Sequence, residues 1–203
     1  MDSSLPYAVR HLDDPAVAAI ACDHQAVGTD ATRHLLSQDM WPVAFLGGRR
    51  TSALSARLGA GYLAACRRAG RVPQKWMYIT GDYQTEPARA AVTRLLTERP
   101  HTRALVAANA PMALGAISAA ADLGRRIPED LAVVCCEDVH LLTHIRPAIT
   151  AVALDLDELG SQAVGTLTSV LAGEKVDATR QLPYRLVVRE SSIPHATGPE
   201  PTG

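Results

Sequence analysis

Apolar positions along the chain fall into two patterns that alternate. Compact apolar runs occur at 15–22 ("PAVAAIAC"), 42–48 ("PVAFLGG"), 75–81 ("KWMYITG"), 103–108 ("RALVAA"), 130–136 ("DLAVVCC") and 148–154 ("AITAVAL"). Short runs of this kind, bounded by turn residues, predict buried strands. Between them lie stretches with apolar residues at helical spacing: 29–38, 52–70, 86–100, 111–124 and 157–174. In 52–70, Leu54, Leu58, Tyr62, Ala65 and Ala69 form one stripe, which Gly70 closes. Pro87 and Pro100 punctuate the third helix, and Gly124 ends the fourth. A last strand is predicted at 184–192. Strands that alternate with helices argue for parallel βαβ units in an open, doubly wound α/β sheet. Strands apolar on both faces fit a sheet covered by helices on both sides.

Such a sheet places ligands beyond the carboxyl ends of its strands. Asn109 sits there, after the run at 103–108 and before the helix at 111–124. Two roles are open to it. Asn is among the best helix N-caps, and its amide is also a two-way hydrogen-bonding group suited to a polar ligand.

Composition narrows the class. The 203 residues are 47% hydrophobic and only 4% aromatic, which predicts an aliphatic, Ala-rich core. The formal net charge of −1 gives no general attraction to nucleic acid. No apolar run approaches a membrane span, and the first residues carry neither a basic nor an apolar leader region. Cys22, Cys66, Cys135 and Cys136 fit neither a zinc spacing nor a secreted disulfide framework. A cytoplasmic protein with reduced thiols is expected, with no cofactor and no metal.

Several spaced motifs resemble the effector-binding core of LacI/GalR-type transcription regulators, which have a periplasmic-binding-protein type 1-like fold. They are "AANAPMALGAISAAADLGRRIPEDLAVVCCED" at 107–138, "RPAITAV" at 146–152, "LGSQAVGTLTSVLAGE" at 159–174 and "PYRLVVRES" from Pro183. "VAFLGG" at 43–48 and "SARLGAGYLAACRRAG" at 55–70 fall in the same order upstream. The resemblance runs from about residue 6 to 193. It implies an N-terminal subdomain fragment at 1–25, a C-terminal subdomain at 26–148, a returning N-terminal segment at 149–173 and a final C-terminal segment at 174–193. The Pro/Gly-rich tail at 194–203 is expected to be disordered. It also implies that the helix-turn-helix headpiece and the first part of the N-terminal subdomain are lacking from these residues.

The same resemblance implies a sugar, polyol or nucleobase-like effector in a cleft between the two subdomains. Asn109 matches the family's pocket Asn, and Tyr83 a stacking aromatic. Glu137 stands where the family has an Asp that holds sugar hydroxyls, while Asp138 is expected to brace the loop. Arg57 lies one residue off the family's Arg, with Leu58 in its place. Cys22 and Asp23 fall at a crossover where the family shows an aromatic and an Asp, and Leu154 and Leu156 make another wall more apolar. These departures argue against a simple pyranose.

The expected function is the ligand-sensing and dimerising core of a LacI-family regulator. The alternative is a free-standing small-molecule-binding module that does not regulate DNA directly. The chain alone is expected to bind effector weakly or not at all, to pair as a homodimer, and to meet DNA only through a headpiece it does not contain; no membrane partner is expected. An enzyme is disfavoured. Cys–His nucleophilic chemistry needs an orienting group that no spacing here supplies, and His140 and His144, at i and i+4, lack the Glu of a zinc-protease motif.

Overall fold

The structure, a computed structural model, describes residues 19–174 and 179–193. The elements are β1 (Ala19–Ala21), α1 (His24–Leu36), β2 (Val43–Gly47), α2 (Ala53–Arg68), β3 (Tyr78–Thr80), α3 (Thr85–Glu98), β4 (Ala104–Ala107), α4 (Ala110–Asp122), β5 (Ala132–Cys135), α5 (Leu141–His144), β6 (Thr150–Leu154), α6 (Leu156–Leu171), β7 (Thr179–Gln181) and β8 (Tyr184–Val187). Single 3-10 turns lie at Lys75–Met77 and Glu190–Ser192. The chain divides into two units, one formed around β1, α6 and β7, the other from residues 24–153 and the segment after 185.

The α/β class is as the sequence predicts. Six strands lie in the order β3-β2-β4-β5-β6-β8, and the pairings from β3 through β6 are parallel. Val43 to Leu46 register against Ala104 to Ala107, and those against Ala132 to Cys135. Every residue of β2, β4 and β5 is buried, as continuous apolar runs in a helix-covered parallel sheet require. The chain turns one way from β2 to β3 and the other way to β4. The topological switch point therefore lies between the carboxyl ends of β2 and β4.

Helix α1 begins at His24, earlier than the expected 29. The face it turns to α2 carries Gly28, Thr29 and Thr32 instead of large apolar side chains, so the helical period is invisible there. A Cβ on Gly28 would sit 2.2 Å from the Leu58 carbonyl oxygen, and one on Gly61 2.1 Å from that of Gln25. The two backbones pack at a distance only glycine permits. Thr29 Oγ1 donates across this contact to the Gly61 carbonyl at 3.3 Å.

Other boundaries shift for identifiable reasons. Of the α2 stripe, Leu58, Tyr62 and Ala65 are buried, but Ala69 is the exposed C-cap. The run at 75–81 opens as a 3-10 turn before β3. The last predicted strand stops at Val187, because the residues after it are held by side chains and not by a ladder. Ser191 Oγ donates to the Val133 carbonyl at 2.6 Å, and Ser192 Oγ lies 2.6 Å from Thr150 Oγ1 and 2.7 Å from His34 Nε2. The elements α5 and β7 are additional to those read from the sequence. Residues 15–18 of the first predicted strand, and the 194–203 tail, lie outside the described residues.

In the first unit β1 and β7 pair in parallel, Ala19 to Thr179 through Ala21 to Gln181. Asp155 caps α6 by accepting from Glu158 N at 3.0 Å. No residue of α6 is buried.

Candidate functional site at the carboxyl ends of the strands

The site is built around the first turn of α4, at the switch point. A helix leaves its first N–H groups without intrahelical partners. Here each one is satisfied. Ala110 N donates to Glu137 Oε2 at 3.0 Å, Pro111 has no N–H, Met112 N donates to Asn109 Oδ1 at 3.1 Å, and Ala113 N donates to the Asn109 carbonyl at 3.1 Å. Asn109 is an N-cap at 2% exposure. With these donors engaged, the helix start is closed as an anion-binding end.

The other half of the Asn109 amide faces Tyr83. Nδ2 donates to the Tyr83 carbonyl at 3.3 Å, which leaves a second amide hydrogen. Tyr83 follows β3 in a tight turn in which Gln84 N donates to the Gly81 carbonyl at 3.0 Å. Asp82 and Tyr83 both have positive φ, 53° and 61°. Consecutive left-handed non-glycine residues cost roughly 1–2 kcal/mol each, so the surroundings must hold them. Tyr83 Oη lies 2.7 Å from Ser52 Oγ, and Arg49 pairs with Asp82. The Tyr83 ring rests on the Gly48 backbone: a Cβ there would stand 2.0 Å from Cζ. Ser55 Oγ in turn accepts from Gly48 N at 3.0 Å. The half-buried ring is thereby fixed on one side.

Glu137 and Asp138 follow β5. While Glu137 caps α4, Asp138 is tied to Arg189 by two bonds, Nη1–Oδ1 at 2.9 Å and Nη2–Oδ2 at 2.6 Å. This ion pair is 15%/14% exposed, and Arg189 Nη1 also donates to the Ile149 carbonyl at 2.7 Å. Asp138 is thus the brace that the sequence suggests. The structure brings Tyr83, Asn109 and Glu137 into one hydrogen-bonded assembly around the start of α4.

The remaining candidates stand apart. Arg57 is exposed on α2, about 100° around the helix from buried Leu58, and forms no ion pair among the described residues. Buried Cys22 and exposed Asp23 belong to the first unit. Burial, and then the Asp23 charge, push the Cys22 thiol up to about 11. Burial also pushes Cys136 up to about 12 and holds Cys135 well above its ordinary value. Reactive thiolates are therefore disfavoured at all three positions. His140 and His144 meet through their Nε2 atoms at 2.9 Å, and no cluster of three potential metal ligands occurs among the described residues. Sequence reasoning missed Ser52, Gly48 and Arg189. Ser52 carried a signal as a serine heading a helix, whereas Gly48 and Arg189 act through contacts distant in sequence.

The fold has known counterparts. The periplasmic binding protein-like domain model matches residues 32–192. The chain belongs to that family. It is similar to the core of LacI/GalR-type regulators: it is 29% identical to catabolite control protein A of Priestia megaterium over 178 residues, 87% of this chain and 54% of that protein. It is 32% identical to the lactose operon repressor of Klebsiella pneumoniae, covering 89% of this chain and 50% of that protein. A solved structure of the transcriptional regulator CelR in complex with cellobiose aligns with a TM-score of 0.81 at 28% identity, covering 87% of this chain and 54% of that one. The chain spans about half the length of the curated relatives it matches. These relatives are transcription regulators, not enzymes. No helix among the described residues is long and apolar enough to cross a membrane.

Proposed function

We propose that this chain is the effector-sensing part of a LacI-type transcription regulator. It receives a small hydroxyl-rich or nucleobase-like effector at the carboxyl ends of β2, β3, β4 and β5. The observation that carries this reading is the joining of Tyr83, Asn109 and Glu137 around one helix start at the switch point. Tyr83 offers a half-buried aromatic ring, Asn109 its second amide hydrogen, and Glu137 the oxygen not used by Ala110. Such groups suit a neutral polar ligand with several donors. Arg57, Cys22 and Asp23 stay candidate contacts on the strength of the resemblance. In the proposed regulator, effector binding shifts an equilibrium between two arrangements of the core, and paired copies pass that shift to a DNA-reading headpiece. The domain limits expected from the sequence, 26–148 and 174–193 for the part holding the site, form part of the same proposal.

The test is a thermal-shift and calorimetric screen of the 203-residue chain against disaccharides, monosaccharides, polyols and purine bases at millimolar concentration. One class should raise Tm, and Tyr83→Ala should abolish the shift. If a class raises Tm and Tyr83→Ala leaves the shift intact, the site is misplaced.

A further inference from the structure

The chain's two tryptophans lie at the opposite end of the same sheet, remote from the proposed effector site. Trp41 precedes β2, Trp76 precedes β3, and Arg99 and His101 precede β4. They line a groove of about 520 Å³, which adjoins a second of about 680 Å³ through Gln74, Trp76 and Arg99. In a chain with only 4% aromatic residues, both indoles are half-buried at a surface groove rather than in the core.

The groove also concentrates cations. Arg71 and Arg99 line the first, and Lys75, Arg94 and Arg99 line the second against one carboxylate, Glu98, although the whole chain carries a formal charge of −1. Two of the guanidinium groups are held on indole faces, Arg71 over Trp41 at 5.7 Å and Arg99 over Trp76 at 5.6 Å. A stacked guanidinium has its plane fixed and its N–H edge available to a carboxylate. Arg99 forms no ion pair among the described residues, and Arg71 has only a 3.3 Å pairing with Asp39, which is 91% exposed. Beside them Val72 is 82% exposed and offers an apolar contact. The indole N–H of Trp76 is already used, donating to Gln74 Oε1 at 2.7 Å.

We propose that this groove docks an acidic peptide segment of a partner protein, with carboxylates on Arg71 and Arg99 and an aliphatic side chain between the indoles and Val72. Charge complementarity selects the acid. Two joined grooves sharing Trp76 select an extended segment over a compact small molecule. The site differs from the proposed effector site in residues and in place, so each can be tested without the other.

Because the groove contains both tryptophans of the chain, intrinsic tryptophan fluorescence reads this site alone. The full chain is titrated with a short peptide alternating glutamate and leucine, with its glutamine counterpart, and with adenosine monophosphate. The expected result is a saturable emission change with the acidic peptide that weakens as salt rises and is absent with the glutamine peptide. Arg71→Ala and Arg99→Ala should each weaken it about tenfold, with unchanged circular dichroism showing that the fold is kept. Equal binding of both peptides, binding unaffected by the two arginine variants, or saturation only by the nucleotide would overturn the proposal. So would the absence of any saturable change.

Discussion

Asn109 Nδ2 donates to the Tyr83 carbonyl at 3.3 Å while Oδ1 of the same side chain caps α4. One amide therefore couples the helix start to the strained turn that presents the tyrosine. Asn109→Ala removes both bonds at a site 2% exposed. It should cost about 1–2 kcal/mol from the cap and the unsatisfied Met112 N–H. Asn109→Asp keeps an acceptor for Met112 but loses the donor to Tyr83. It should retain most of the stability while freeing the turn. Urea denaturation of both variants, with hydrogen exchange at residues 81–84, separates the two effects. Equal destabilisation by Ala and Asp would mean that the Tyr83 bond, not the cap, dominates.

The ion pair behind Glu137 sets the position of its loop. Arg189 and Asp138 are largely out of water and joined by two bonds. Arg189→Ala leaves Asp138 without its partner and should cost about 3 kcal/mol, as expected when one member of a buried pair is removed. Replacing both with a neutral pair of similar size should cost less than the single change. A double-mutant cycle by chemical denaturation measures this, and additivity of the two changes would show that the pair is not coupled.

A pH dependence follows from His34. Burial lowers its pKa below the ordinary 6.5, and its ring lies 2.7 Å from Ser192 Oγ in the network that holds the segment after β8. Between the lowered folded value and 6.5, the unfolded chain binds the extra proton. Stability from this group is therefore complete above about pH 6.5 and falls as pH drops below it, levelling off under the folded value. Folding free energy measured from pH 7.5 down to 5.5 should decline, and His34→Gln should flatten that slope. An unchanged slope in the variant would assign the dependence to another group.

The glycine contact between α1 and α2 also explains what the sequence could not show. Buried strands were legible because β2, β4 and β5 are apolar on both faces, whereas the strand order that sets the switch point rests on pairings between residues distant in sequence. Asn109 was legible as a residue at a strand end before a helix, though its simultaneous hold on Tyr83 was not, since Tyr83 lies in another βα loop. The start of α1 was hidden because its packing face is made of glycine and threonine. Gly28→Ala should therefore destabilise strongly, by about 2–3 kcal/mol or more, since the 2.2 Å approach is to backbone that cannot rotate away. A Tm unchanged by this substitution would mean that the two helices separate freely.

Helix α6 exposes an apolar stripe. Val164, Leu167 and Leu171 recur at helical spacing and are 66%, 59% and 79% exposed, and no residue of this helix is buried. An apolar stripe of this kind on a surface helix drives association. The 203-residue chain should self-associate as its concentration rises, with the apparent mass in light scattering climbing over the micromolar range. Val164→Glu combined with Leu167→Glu should suppress that rise without loss of stability, because neither side chain contributes to a buried core. Association that persists in the double variant would place the contact on another surface. Loss of folding in the variant would show that α6 is covered in solution by something its present neighbours do not supply.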